Sequence, residues 1–334
     1  YPELLKSHKY LTPAYYKSIH EYLKEVDSQA LTSAWVNLNS AFTNFFKGTH
    51  KYPKYKSKKY TKNSYTTHTT NNNIRLQANG VKLPKLGLVK LRKHRELPDG
   101  AVIKAAIISK TVTKKYYVSL RIEYDEEKLV IDDSFQKVIG LDFALNGFYV
   151  NSEGKKANYP MYYINTLEKL AKAQRKLSKR IKRSNNYHKQ KLLVSKIYEK
   201  IKNQRNDFLH QESRRLVNRY DIISVETLDL TSMMKNKYFS TKIADISYHK
   251  FLNYLSYKCE DSGKRLHKVD KYYASSKICS VCGTKKKTLP LSTRTYSCLC
   301  GNVIDRDHNA AINIATQSMM SYLKNSIEAG TALI

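Results

Sequence analysis

Two carboxylates stand alone at the ends of apolar runs: Asp142 follows Val138-Ile139-Gly140-Leu141, and Glu226 follows Ile222-Ile223-Ser224-Val225. Such runs read as buried strands, where an ionised carboxylate is costly unless something compensates it. A bound divalent cation is the natural compensation, and carboxylate oxygens match the hardness of Mg2+. A third acid, Asp307, follows Asp305 and Arg306 where DRDHNAAINIA begins a helical pattern. An Asp at a helix start is also a common cap, so this position says little by itself. Together the three acids suit phosphodiester hydrolysis by two metal ions about 3.5–4 Å apart, which clamp the attacking and leaving oxygens. Several acids are needed because two close divalent ions repel each other without anionic ligands.

Four of the five cysteines crowd into residues 279–300 as Cys279-x-x-Cys282, fifteen residues, then Cys298-x-Cys300. Without a secretion signal, a metal site is the better reading than disulfides. Four closely spaced thiolates select Zn2+ with every position filled, which makes the site structural. Cys259 lies outside the set and reads as a buried core thiol. None of the ten histidines pairs as a ligand, and His308 reads as a helix-start residue.

Sixty Lys+Arg against 28 Asp+Glu give a net charge of +32. Such self-repulsion points to a polyanionic partner. The basic residues run through the whole chain, which favours a nucleic-acid track over a membrane-binding face. Twenty-seven tyrosines suit base stacking, although compositional bias accounts for part of that number. The stretch KYPKYKSKKYTKNSYTT, residues 51–67, is a solvated loop or a nucleic-acid contact. Its interleaved aromatics favour contact through Lys51, Lys54, Lys56, Lys58 and Lys59. Lys179, Arg180, Lys182 and Arg183 lie in a helical stretch almost free of acids, and they suit phosphate in the same way. No apolar run is long enough to span a bilayer, and no signal-peptide pattern opens the chain, so a soluble cytoplasmic protein is expected.

These residues need elements to hold them. Residues 27–47 predict a helix capped by Asp27 or Ser28, stopped by Gly48, with Leu31, Trp35, Leu38, Phe42 and Phe45 as a core-facing stripe. Residues 81–124 predict short antiparallel strands forming a small barrel or sheet, and the acidic linker DEEKLVIDDS follows. The strand ending at Asp142 leads through an Asn146-Gly147 hairpin turn. Residues 163–218 predict two helices folded back near Ser184, with Leu167, Leu170, Leu177 and Ile181 on one face and Ile197, Ile201 and Phe208 on another. A helix over 243–259 and the strand RLHKV precede the cysteines.

The strings SSKICSVCG, C-x-C-G and DRDHNAAINI resemble the C-terminal signature of the TnpB (OrfB) proteins, relatives of the type V CRISPR effectors. VDSQALTSAWVNLNSAFTNFFKG, the Lys/Tyr stretch, LPKLG, GLDF, NQRNDFLHQ and SVETLDL extend the resemblance over nearly the whole chain. It implies an α+β multidomain fold: a helical recognition lobe (1–74), a β-barrel wedge domain with linker (75–134), and an RNase H-like (RuvC) α/β domain (135–274) with a helical insertion at about 163–218. A zinc module (275–303) and the third RuvC motif with its tail (304–334) complete it. The resemblance places the catalytic, magnesium-binding triad on Asp142, Glu226 and Asp307. Asp305 is the alternative to Asp307, which is preferred because related effectors use the acid two residues before the motif Asn, here Asn309. Zinc falls on Cys279, Cys282, Cys298 and Cys300. The implied cofactors are two Mg2+ and one Zn2+, and the implied partners are a guide RNA from the transposon end and a double-stranded DNA target, with one protein per RNA. The implied activity is RNA-guided DNA cleavage beside a short adjacent motif. A non-cleaving regulator and a transposase proper stay open as alternatives. Ala144 stands where the family usually has Gly, and a small residue is kept.

Overall fold

Strand β7 (Val138–Phe143) and strand β10 (Ile222–Glu226) are almost continuously apolar, the pattern of strands covered on both faces. They lie side by side in the larger of two compact units, Lys128–Ile334; the other is Tyr1–Glu127. The computed structural model describes residues 12–57, 62–125, 137–290 and 292–328. Lys58, Lys59 and most of the acidic linker fall outside them.

In the first unit, helix α1 (Pro13–Ile19) precedes α2 (Ser28–Phe46). Asp27 caps α2, accepting from the amides of Gln29 and Ala30 at 3.3 and 3.2 Å, and Gly48 ends it at φ +71°. The stripe on α2 is not the buried core expected. Leu31, Trp35, Phe42 and Phe45 are half-buried, and Leu38 is 52% exposed. Within this unit the helix lies against one strand, β1 (Asn63–His68), too narrow a surface to cover the stripe. Phe42 and Phe45 pack edge-on against Tyr52 instead, at 5.8 and 5.2 Å.

Two three-stranded antiparallel sheets follow. One orders β1, β5 (Val102–Lys110) and β6 (Tyr116–Glu123). The other orders β2 (Arg75–Gln77), β3 (Gly80–Leu83) and β4 (Gly87–Lys90). Ile74, Val81, Leu83 and Ala106 form their core. Among the described residues no ladder joins the two sheets into a closed barrel. β1 comes from the Lys/Tyr stretch and pairs with β5 from Asn63 to His68, so a boundary at residue 74 would divide a sheet. Its Tyr and Thr residues are strand formers, a signal hidden by the surrounding lysines.

In the second unit the sheet order is β11 (Arg265–Val269), β10, β7, β8 (Tyr149–Asn151), β9 (Lys156–Ala157). The first three strands are parallel, and β7, β8 and β9 form an antiparallel meander. Side chains alternate faces along a strand. Ile139, Leu141, Ile223 and Val225 pack against α4 (Asn185–Arg219), α6 (Lys237–Ile246) and α7 (Tyr248–Asp261). Gly140 points to the other face, where α8 (Arg306–Glu328) lies so close that a Cβ would meet the Ala311 carbonyl at 2.0 Å. Asp142 and Glu226 have the parity of Gly140 and Ser224, which puts them on the α8 side.

Helix α3 (Leu167–Ser178) folds back on α4, whose N-cap Ser184 accepts from the Tyr187 amide at 3.1 Å. Leu170 and Ala173 meet Val194, Ile197 and Ile201. Ile181 does not join this face as expected: α3 ends at Ser178, and Ile181 sits in the turn, 82% exposed. Leu167 is exposed as well. The single helix expected over 243–259 is two, because Ser247 is left-handed (φ 54°) and breaks it. A short α5 (Leu230–Lys235) follows β10. No helix of the described residues is long and apolar enough to cross a membrane.

Asp245, at the end of α6, ties this layer together. Its buried carboxylate accepts from Tyr159 Oη (3.0 Å), the amides of Tyr163 (3.0 Å) and Ile164 (3.2 Å), and Arg205 Nη2 (3.0 Å). Removing one member of a buried pair leaves the other charge uncompensated. Asp245→Ala is therefore expected to cost about 3–5 kcal/mol of stability, read as a lower urea midpoint, whereas a change under 1 kcal/mol would contradict it.

Candidate active site and metal centre

The β7–β10 register runs from Ile222 opposite Val138 to Val225 opposite Leu141, so the next rung sets Glu226 beside Asp142. Glu226 Oε1 accepts the backbone N–H of Phe143 at 2.9 Å, which fixes its carboxylate over the end of β7. Asp307 arrives from the first turn of α8. A cleft of about 650 Å³ is lined by all three acids, with Lys156, Arg294 and Arg306 at its walls. The structure thus gathers the three acids chosen from sequence at one opening.

Their electrostatics follow from that crowding. Burial first, then the charges of Glu226 and Asp307 and a hydrogen bond with Glu226, hold Asp142 well above the usual carboxylate range. Burial also raises Glu226, against the opposing pull of the Phe143 amide and Asp142. Among the described residues neither acid has a Lys or Arg ion pair, while Arg294 Nη1 stands 4.0 Å from Asp307 Oδ2. Two desolvated, oxygen-donating acids with no direct ion pair among the described residues, although Arg306 lies near enough to act on Asp142, make a site that a hard divalent cation fits. The three acids do not share a single point in space as the thiols do. An arrangement around two ions about 3.5–4 Å apart does not need them to.

Asp305 lines the same cleft but is already engaged. Its Oδ1 accepts the amides of Asp307 (2.9 Å) and His308 (3.1 Å), which caps α8, and Lys156 lies 3.5 Å from Oδ2. Burial would raise its pKa, but the His308 amide and Lys156 outweigh burial and lower it. His308 also accepts the helix-start role read for it: its ring packs over Gly154 and its Nε2 meets the Ser152 carbonyl at 3.2 Å.

The four cysteines converge equally plainly. Their sulfurs all lie within 4.8 Å of one another, with Cys279 and Cys300 at 3.7 Å and Cys282 and Cys298 at 3.5 Å. A tetrahedron with 2.3 Å zinc–sulfur bonds has edges of roughly 3.8 Å. Against a burial penalty, the backbone amide of Cys282 and the side chain of Asn302 bring the Cys279 thiol down to about 6. Cys300, despite the Asn302 amide, is pushed up to about 12 by its thiol neighbours. Four thiols that crowded ionise together only around a cation. β12 (Thr295–Ser297) and β13 (Val303–Asp305) pair beneath the cluster, and β13 runs directly into α8. Cys259 is buried elsewhere, in the core, where burial raises its thiol to about 11.

The proposed phosphate contacts lie apart from the cleft in sequence. Lys51, Lys54 and Lys56 are exposed beside a fully exposed Tyr55. Lys179, Arg180, Lys182 and Arg183 are exposed in the α3–α4 turn. The basic lining of the cleft, Lys156, Arg294 and Arg306, was not singled out from sequence. Nothing local distinguishes these from dozens of other basic residues.

The family model OrfB_IS605, described as "Probable transposase", matches residues 120–237, and the Cas12f1-like TNB domain model matches residues 248–314. A Streptomyces pristinaespiralis protein named as an RNA-guided DNA endonuclease is 33% identical over 300 residues, 88% of this chain and 72% of the relative. The similarly named InsQ of Escherichia coli is 26% identical over 310 residues, 88% of this chain and 75% of its own. A solved Cas12f1–sgRNA–target DNA complex aligns over 87% of this chain and 80% of its own, at 12% identity and a TM-score of 0.41. With one-third identity sustained across most of both chains, this chain belongs to the TnpB (OrfB) family of transposon-encoded proteins.

Proposed function

We propose that this protein is an RNA-guided DNA endonuclease of a transposable element, cutting double-stranded DNA beside a short adjacent motif by RuvC-type two-metal hydrolysis. The observation that carries the reading is the meeting of Asp142, Glu226 and Asp307, drawn from 166 positions of sequence, at one basic-walled cleft. The strand order, with an antiparallel meander flanked by two parallel strands, is the order of an RNase H-like sheet and supports it. So does the net charge of +32, which suits two nucleic-acid partners at once.

Asp142, Glu226 and Asp307 would hold two Mg2+ ions, which supply the charge that activates the attacking water and stabilises the departing oxygen. The Phe143 amide orients Glu226, and the capped start of α8 presents Asp307. Lys156, Arg294 and Arg306 draw the phosphate backbone to the cleft. Cys279, Cys282, Cys298 and Cys300 would hold one structural zinc. Lys51, Lys54 and Lys56, with Lys179, Arg180, Lys182 and Arg183, would follow the phosphates of guide or target.

The test is to express the protein with the transposon end that encodes it, sequence the RNA that co-purifies, and offer a plasmid matched to that guide with Mg2+. Cleavage by wild type and none by Asp142→Ala is expected. Undiminished cutting by the variant would remove the carboxylate mechanism, and RNA-free protein that cuts as well would remove the guide.

A further inference from the structure

A ring left in water forgoes the burial from which aromatic side chains gain most, so the barest rings of the second unit ask for a reason. Among its described residues these are Tyr238, 89% exposed, and Tyr272, 85% exposed; the next, Tyr198 and Phe239, stand at 43% and 42%. Both tyrosines rim the carboxylate cleft. Tyr238 lies in the first turn of α6, four residues before Lys242 and therefore on the same helix face. Lys242 Nζ donates to Asn146 Oδ1 at 3.0 Å, and Asn146 lines the cleft, as does Met233 of α5. Tyr272 stands at the sheet edge that carries Glu226. The register sets Glu226 opposite Val269, Thr227 Oγ1 donates to the Val269 carbonyl at 2.7 Å, and Lys271 Nζ meets Asp229 Oδ2 at 3.5 Å. A turn follows in which the Asp270 carboxylate accepts the Tyr272 amide at 2.7 Å. It leaves Tyr272 in solvent, while Tyr273 Oη donates to the Asn313 carbonyl of α8 at 3.3 Å. Ser275 and Ser276 come next, on the cleft wall. Lys235, Lys237 and Lys271, neighbours of the two tyrosines in sequence, are exposed as well. A bias toward tyrosine explains how many rings the chain has, not why the two barest of this unit meet at one opening.

We propose that Tyr238 and Tyr272 are stacking platforms for unpaired bases of the DNA strand that enters the cleft, with the neighbouring lysines on its phosphates. The inference rests on the nuclease reading above and adds how the substrate is held. Inside a duplex the faces of the bases are covered by their neighbours, so a protruding ring stacks only on an unpaired or terminal nucleotide. Such stacking accepts every base, because each has a π-face, and this suits an enzyme whose target changes with its guide. The two rings come from separate elements, the helix pair after β10 and the turn after β11, so they grip the strand at two points. A nucleotide held by its base at the rim leaves its phosphate free to reach the acids. Loss of one stack corresponds to about 5–150-fold in local affinity.

The experiment compares wild type, Tyr238→Leu, Tyr272→Leu, the phenylalanine substitution at each position, and Asp142→Ala, all as full-length protein with its co-purified RNA. Cutting is timed at saturating DNA matched to the guide. Stacking is read from 2-aminopurine placed beside the mapped cut, with Asp142→Ala added to each variant so that the DNA stays whole. Each leucine variant is expected to cut about 5–150-fold more slowly and to lose quenching of the probe, with the thermal midpoint unchanged. Phenylalanine, which keeps the ring, should restore most of what leucine loses. Wild-type cutting and quenching in both leucine variants, with Asp142→Ala inactive, would overturn the proposal and leave the nuclease reading standing. Equal losses with leucine and phenylalanine would assign the effect to the hydroxyls and overturn it. Leucine variants that purify without RNA would give the rings to the guide and overturn it as well. Wild type that leaves matched DNA uncut would remove both proposals together.

Discussion

Asparagine in place of Asp142 is expected to slow cleavage at least about a thousandfold while raising the thermal midpoint of the metal-free protein. The first effect follows from charge. Two cations at a scissile phosphate contribute several kcal/mol to the transition state, and a loss of about 4 kcal/mol is a thousandfold in rate. The second follows from burial. Burial, with Glu226 and Asp307 nearby, holds the Asp142 carboxyl well above the ordinary range in the folded protein. A group whose folded pKa is raised contributes its full stability below the unfolded value and loses it as pH rises through the folded value. At neutral pH the metal-free wild type therefore carries a desolvated, crowded charge that asparagine lacks. The midpoint advantage of Asp142→Asn should be small near pH 4, widen toward neutrality in EDTA, and shrink when saturating Mg2+ stabilises the wild type by binding it. Scanning fluorimetry across that range reads all three. Equal midpoints at neutral pH, or retained cutting, would contradict the account, and binding of RNA and DNA should be unchanged.

Much of this site was legible because its signals are local. A strand buried on both faces is apolar nearly throughout, so one acid at its end stands out, as Asp142 and Glu226 do. Thiol spacing marked the cysteine cluster in the same way, and Asp27 and Gly48 marked both ends of α2. What was missed depends on distant partners. Asp245 lies in Ile243-Ala244-Asp245-Ile246, an acid in an apolar run just like the other two, yet its carboxylate is already satisfied by four donors. Tyr159 and Arg205 lie 86 and 40 residues away, and no local reading tells a carboxylate that binds the fold from one open to a cation. The stripe on α2 shows the same limit. Periodicity predicts an apolar face, not the area of surface available to cover it. The break at Ser247 has neither Gly nor Pro to announce it.

Removing zinc is expected to abolish cutting without any change to the three acids, because the thiol cluster and Asp307 share a scaffold. Asn309, two residues after Asp307, accepts the Ser280 amide at 3.0 Å and donates to the Ile278 carbonyl at 2.7 Å. Asn313 donates to the carbonyls of Ser275 and Ile278, both at 2.7 Å. These bonds clamp α8 to the loop that carries Cys279 and Cys282. On the other side, β13 runs from the second cysteine pair into the cap residue Asp305. The module between buries Tyr296 but leaves Val281, Leu299 and Val303 exposed, a small core for a segment of this length. Structural zinc supplies about 10–16 kcal/mol in small sites of this kind, more than such a module could replace. Cys282→Ser, or chelation under mild heating, should therefore release residues 275–305 to rapid hydrogen exchange and reduce cleavage by at least about a hundredfold. Elements packed away from it, such as α3 with the N-terminal half of α4, should keep their protection. One zinc per chain by mass spectrometry of the metal is the accompanying expectation. A zinc-free protein that keeps both its protection at 275–305 and its cutting rate would show that the thiols do not support Asp307. Loss of protection with cutting intact would show that the Asn309 and Asn313 clamps hold α8 without the metal.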